Sequence, residues 1–219
     1  MTQITVSAFR WVPPFAEGVV RDLRVRWALE EANLSYDTRL ISLEERKSSW
    51  YRKMHPFGMV PACEIDGHGL FESGAIVWKI ASDCAALMSS EPSDRAKTIQ
   101  WMFAALNTVE PPLADLFAMD VFHSKEEWAK LRRPALVDQV KERLRSLSTC
   151  LEGREYLLER FTVADVLMTT VLRFVRHTDL VAELGPVAAY QARCEARPAF
   201  QRALAAQLAA YAKHAPTAA

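Results

Sequence analysis

The chain has no excess of either charge sign, with 27 Lys and Arg against 27 Asp and Glu over 219 residues. No global field would therefore gather nucleic acid or an anionic membrane surface. It also lacks any run approaching the roughly 20 apolar residues needed to cross a bilayer. The opening MTQITVSAFR has neither the apolar stretch nor the small-residue cleavage site of a secretory signal, so a cytoplasmic location is expected. Cysteine is scarce. Cys63, Cys84, Cys150 and Cys194 stand far apart, with no CxxC and no Cys/His cluster. This spacing argues against a zinc site and suits reduced, mostly buried thiols. No metal, nucleic-acid or membrane partner is expected, and no repeat or low-complexity tract occurs apart from an Ala-rich tail. The local basic spots, Arg21, Arg24, Arg26 and Arg132-Arg133, read as solvated helix faces.

What is present is an ordinary globular composition, 50% hydrophobic and 25% charged, in two differently patterned halves. Residues 1–85 mix strand and helix patterns, residues 92–219 are helical nearly throughout, and 86–91 is a small, polar linker ending before a Pro suited to a helix start. Ile4, Val6 and Ala8 alternate with polar residues, as in a half-buried strand. Val25, Ala28, Leu29 and Ala32 predict a helix from about Gly18, with Asn33 as its stop. SYDTRLI reads as a strand, LEERKSSWYRKMH as a short polar helix, and Asp66-Gly67-His68 as a hairpin turn. Ser73 to about Ala85 closes the half as a helix. The order βαβαββα implies a small mixed sheet with helices on both faces. Beyond it, helices are predicted over Arg95–Phe122, Glu126–Leu151 and Val163–His177, with one or two more near the end.

Three short runs carry information about function. In His55-Pro-Phe-Gly-Met-Val-Pro61, a Pro just before a strand is a plausible cis site. A cis bond there would turn the Val60 N–H and C=O towards a peptide-like ligand; spacing alone favours an ordinary strand-initiating proline. In Phe71-Glu72-Ser73, Ser73 falls at a helix start, where N–H groups and the helix dipole suit a carboxylate. Glu72 could take an ammonium on the same ligand, and the competing reading is N-capping without ligand. In Phe161-Thr162-Val-Ala-Asp165-Val166, Thr162 caps a helix, Asp165 reaches back, and Phe161 and Val166 form a hydrophobic staple, so Asp165 is structural.

Taken together, MVPACEIDGHGLFESGAI resembles the glutathione-site signature of the glutathione S-transferases, of the cytosolic, bacterial type. Arg24-Val-Arg-Trp-Ala-Leu-Glu-Glu-Ala is similar to that family's first helix, and the likeness extends along the whole chain. The resemblance implies an α+β fold, a thioredoxin-like N-terminal domain followed by an all-α helical bundle. It implies glutathione as co-substrate, a small hydrophobic electrophile as second substrate, and a homodimer. Val60, beside cis-Pro61, would pair with the cysteinyl unit, and Glu72 and Ser73 would hold the γ-glutamyl end. Met59 stands where relatives carry a longer polar residue, which leaves Lys53 or His55 for the glycyl end.

The family activates the thiol with a Tyr, Ser or Cys before or early in the first helix. Residues 10–22 here, RWVPPFAEGVVRD, contain none, and Ser7 lies earlier, in the first strand. Three readings stay open: a cation, Arg10 or Arg21, stabilises the thiolate; backbone N–H groups at the helix start do so; or the chain binds glutathione and catalyses little. Function correspondingly reads as glutathione transfer or thiol reduction, as non-catalytic binding, or as glutathione-dependent isomerisation. A lid formed by Trp11–Phe15, together with Trp101, Thr108 and Phe117, is expected to line the electrophile cleft. Cys63 is read as core.

Overall fold

The computed structural model describes residues 2–216; residue 1 and residues 217–219, the outer ends of the two expected domains, lie outside the described residues. Two compact units are found, Met1–Leu87 with Pro198–Ala219, and Met88–Arg197.

In the first unit, β1 (Ile4–Phe9), α1 (Asp22–Glu31) and β2 (Asp37–Ile41) make a crossover in which the strands pair in parallel, Thr5 opposite Asp37 and Phe9 opposite Ile41. Then follow α2 (Ser49–Met54), β3 (Ala62–Ile65), β4 (His68–Phe71) and α3 (Ser73–Ser82). The sheet runs β2-β1-β3-β4, with β3 antiparallel to both neighbours, so the βαβαββα thioredoxin-like order is observed. Ile4, Val6 and Ala8 are buried, as their alternation requires. Ile65 pairs with His68 across Asp66 and Gly67, whose φ values of 49° and 80° fit the two-residue turn that Asp-Gly favours.

The polar helix expected before His55 divides into a 3-10 turn, Glu45–Lys47, and α2, which Ser48 caps by accepting from the Tyr51 N–H. Asn33 ends the first helix at φ 59°, with Leu34 N donating to Leu29 O and Asn33 N to Glu30 O. That pairing satisfies carbonyls the helix leaves open.

The first helix starts at Asp22 rather than near Gly18, because Gly18 takes φ 67° and its N–H is held by a side chain, Gln207 Oε1, at 3.1 Å. Its arginines are not solvated as the sequence suggests: Arg24 and Arg26 are 2% and 3% exposed. Two helices cover α1 within the same unit: α3 packs against it, with Arg24 reaching Ser73, and α9 (Pro198–Lys213) packs along it. Phe200 meets Trp27 edge-on at 4.9 Å, and Arg202 Nε donates to Glu30 at 2.7 Å. Arg26 is compensated by buried Asp22, at 2.7 Å, as an interior cation must be. The last helix, read from sequence as part of the helical half, thus belongs to the thioredoxin-like unit.

The second unit holds α4 (Pro92–Phe103), α5 (Glu110–Phe122), α6 (Glu127–Leu151), α7 (Val163–Leu172) and α8 (Gly185–Glu195). The single helix expected over 95–122 is continuous but widens to a π-helical stretch, Ala104–Val109. Pro111 and Pro112 follow it and lack the N–H groups that would close ordinary turns, which gives the distortion a cause.

The α7 cap is built as its sequence implies, and extended. Thr162 N and Leu157 N donate to the two Asp165 carboxylate oxygens at 2.8 and 3.0 Å, and the buried Tyr190 hydroxyl donates to Asp165 at 3.0 Å. Asp165 is fully buried, and burial pushes its pKa up while these donors pull it down. The Thr162 hydroxyl also donates to it at 3.3 Å, so replacing Asp165 strands four donors at once. Asp165→Ala is expected to lower unfolding free energy by about 2–4 kcal/mol, measured by chemical denaturation.

Candidate functional site

The site begins with Ser7 on β1. Ser7 Oγ accepts from Ala62 N at 2.7 Å and lies 2.8 Å from the Tyr51 hydroxyl, which donates to Met59 O at 2.8 Å. With Ser7 donating to Tyr51, each hydrogen is used once, and β1, α2 and the residues flanking Val60-Pro61 are tied together. Ser7 and Tyr51 are buried, and burial raises the Tyr51 pKa, so the phenol stays a donor. Ile41, Tyr51, Val60 and Ala62 form one apolar cluster around this chain. Ser7 is therefore structural, as its place in a strand implies.

The Val60–Pro61 bond is cis. The ladder's last β3–β4 pair is Ala62 with Phe71, so the Val60 peptide groups lie beyond it while the side chain is buried.

Glu72 takes φ 69° and ψ 115°, a conformation that costs a residue with a side chain about 1–3 kcal/mol. Its carbonyl accepts from Ile76 N at 3.0 Å, but its carboxylate makes no cap on α3 and is exposed. Ser73 is the first residue of α3 and is buried. Behind it, Arg24 Nη1 donates to Ser73 Oγ at 3.1 Å. That bond occupies a lone pair of the hydroxyl and leaves its hydrogen available to an acceptor. Arg24 is the residue that sequence reasoning misplaced. The available signal was its position among Leu23, Val25 and Trp27 in a helix whose apolar residues extend around most of its circumference.

The other sequence candidates scatter. His55 is buried, 5.2 Å from the Phe71 ring and 6.3 Å from Phe57, and its Nδ1 has no hydrogen-bond partner among the described residues. Burial lowers its pKa, against a smaller opposing pull from Glu72, so the ring is mainly neutral at pH 7. Lys53 is exposed at the end of α2. Arg10 is exposed and pairs with Glu45 at 3.4 Å, and Arg21 is the residue preceding α1. Cys63 is completely buried, and burial pushes its thiol up to about 12, so it is inert core.

In residues 10–22, Pro14–Ala16 form a 3-10 turn, and Val12 and Val19 are buried. In the second unit, Trp101 lines a cavity of about 390 Å³ with Lys97 and Arg154. Thr108 faces a different depression, beside Pro112 and Gln139. Phe117 packs edge-on against Phe122 and Phe174. Trp101 and Thr108 thus line two different depressions. Among the described residues, no group of His, Cys, Asp or Glu is placed to hold a metal ion, and no helix is long and apolar enough to cross a membrane.

Removing the Tyr51 hydroxyl should leave the buried Ser7 hydroxyl without its acceptor and the Met59 carbonyl without its donor. Tyr51→Phe is expected to cost about 1–3 kcal/mol of stability by chemical denaturation.

The N-terminal domain profile of the glutathione S-transferases matches residues 23–83, from α1 to just past α3. The chain is 28% identical over 163 residues to glutathione S-transferase GstA of Escherichia coli O157:H7, covering 72% of this chain and 78% of that protein. It is 35% identical over 96 residues to disulfide-bond oxidoreductase YfcG of Escherichia coli K12, covering 39% and 44%. A glutathione transferase from Burkholderia graminis, solved with two glutathione molecules per subunit, superposes with TM-score 0.82 at 26% identity, over 92% of this chain and 87% of that one. The cis Val60–Pro61 step, the strained Glu72 before Ser73, the thioredoxin-like unit and these likenesses converge: residues 23–83 match the N-terminal domain of the glutathione S-transferases, and the chain as a whole is similar to members of that family in sequence and fold.

Proposed function

We propose that the chain binds glutathione in its thioredoxin-like unit and uses the thiol as a nucleophile towards a small hydrophobic electrophile. The observation that carries the reading is the pairing of two unspent features: Val60 peptide groups outside the ladder, and an α3 start without a side-chain cap, preceded by an exposed carboxylate. The Val60 N–H and C=O would pair with the cysteinyl peptide unit as a short added strand does. The α3 N–H groups and the Ser73 hydroxyl would take the γ-glutamyl carboxylate, and Glu72 the adjacent ammonium. Arg24, donating to Ser73, would orient that hydroxyl and add positive charge behind it. Lys53 suits the glycyl carboxylate better than His55, whose buried neutral ring cannot supply a counter-charge. The bound thiol would lose its proton, and the thiolate would attack the electrophilic carbon, forming a C–S bond as the leaving group on that carbon departs with its bonding pair.

A second reading, thiol-dependent disulfide reduction, is favoured by the relative named as a disulfide-bond oxidoreductase, whereas the absence of a Tyr, Ser, Thr or Cys in residues 10–22 favours binding without catalysis. Homodimer assembly fits an apolar patch in which Phe57 is 68% exposed near Met59 and Phe71. The cytoplasm is the location we assign.

Calorimetry with glutathione tests the binding. The wild type should bind, and Ser73→Ala should weaken affinity by about tenfold or more, the effect of losing a hydrogen bond to a charged group. Arg24→Met should also weaken it. No binding by the folded wild type would refute the proposal.

A further inference from the structure

The cavity of about 390 Å³ in the second unit has no part in the glutathione reading, and none of Val60, Glu72 or Ser73 lines it. Its volume falls in the lower part of the range of about 300–1,000 Å³ common among small-molecule sites, which suits a compact ring molecule.

Both walls are built independently of any ligand. On one side, Lys97 and Trp101 stand one turn apart on α4, so their side chains share a face. Thr98 beside them is buried, and its hydroxyl is spent on Asp94 O at 2.9 Å. On the other side, the chain leaves α6 and reverses at Gly153, φ 72°, where Arg154 N donates to Leu151 O at 3.0 Å. The loop that follows carries Arg154, Leu158 and Glu159 into the wall. It is pinned on both flanks: Glu155 O accepts from Arg193 Nη1 at 2.8 Å, and Leu157 N and Thr162 N donate to the buried Asp165. A wall held in this way lowers the ordering cost of binding.

Two donors of the lining are unspent. The Trp101 indole N–H and the Arg154 guanidinium have no hydrogen-bond or ion-pair partner among the described residues, whereas Lys97 is shared with Asp94 at 3.5 Å. A planar guanidinium suits a carboxylate, and an indole N–H can add a further bond to it. The Trp101 ring and Leu158 supply apolar surface beside those donors. Charge narrows the choice. Lys97, Arg154 and Arg160 line the cavity with Asp94 and Glu159, three cations against two carboxylates. A monoanion neutralises the excess, whereas a phosphate monoester, with a charge of about −2, would overshoot it.

We propose that this cavity binds a small aromatic monocarboxylate, with its carboxylate on Arg154 and the Trp101 N–H and its ring against Trp101 and Leu158. The site stands independently of the glutathione reading. It also gives Trp101 a task other than lining an electrophile cleft, since walls with this many charges do not suit a neutral hydrophobic electrophile.

The probe is β-naphthoate, with β-naphthamide as its neutral counterpart, added to the full chain. Calorimetry should show saturable binding of β-naphthoate by the wild type at up to about 1 mM, weakening with added salt. The amide should bind about tenfold more weakly. Arg154 is exposed, so Arg154→Gln should keep the wild-type thermal unfolding while losing about tenfold or more in β-naphthoate affinity. Arg132→Gln removes an equal charge from an exposed position outside the cavity and should stay within about twofold of wild type. In NMR spectra the Trp101 indole N–H signal, identified as the one missing from Trp101→Phe, should move on titration. No binding by the wild type, equal binding of the amide, or unchanged affinity in folded Arg154→Gln overturns the proposal. Binding that leaves the Trp101 signal in place overturns it too, because the probe then sits elsewhere.

Discussion

The candidate site depends on a chain of three hydrogen bonds, two buried and the last part-buried, running from Ala62 N through Ser7 and Tyr51 to Met59 O. It closes around Val60 and Pro61 from both sides in sequence, and takes its anchors from β1 and α2. An apolar cluster by itself would bury the Val60 side chain without fixing which way its peptide groups face. Hydroxyl groups with one hydrogen each impose direction, because every member has a single consistent role. The cis step can therefore remain at the edge of a sheet whose ladder starts only at Ala62.

A second constraint is charge kept inside the first unit. Arg24 and Arg26 are both buried on one helix, and they face different tasks. Arg26 is paired with Asp22 and belongs to the contact with α9, whereas Arg24 donates to Ser73 and belongs to the ligand end of α3. Interior cations are tolerated only with compensation, so each arginine draws its partner's environment into register with the helix. The same helix thereby links the C-terminal segment to the residues expected to hold the γ-glutamyl group. Asp165 in the second unit follows the same logic with opposite charge, where buried donors replace a counter-ion.

Much of this was legible in the residues. Alternation located β1, Asp66-Gly67 located the hairpin, Asn33 ended the first helix, and Thr162 with Asp165 announced a cap, because each signal is local. Spacing together with resemblance pointed to Val60, Glu72 and Ser73, and the thioredoxin-like order followed from counting elements. The positions misjudged depend on partners far along the chain. Arg24 and Arg26 read as solvent-facing because their partners lie far along the chain, α3 at Ser73 for Arg24 and α9, which covers the helix more than 170 residues away at Arg202. His55 looked available because nothing local says that Phe71 will pack beside it. The π-helical stretch was hidden since helical periodicity passes through it, although Pro111-Pro112 supplied a reason to look.

The central claim is that the Val60 peptide groups, held outside the ladder by the Ser7–Tyr51 chain, receive the ligand's backbone. Amide hydrogen exchange at Val60, followed by NMR with and without saturating glutathione, tests it most directly. The account predicts slow exchange at Val60 that appears only with glutathione, while Ala62, already bonded to Ser7, is protected in both states. Saturable glutathione binding that leaves Val60 exchange unchanged would contradict it.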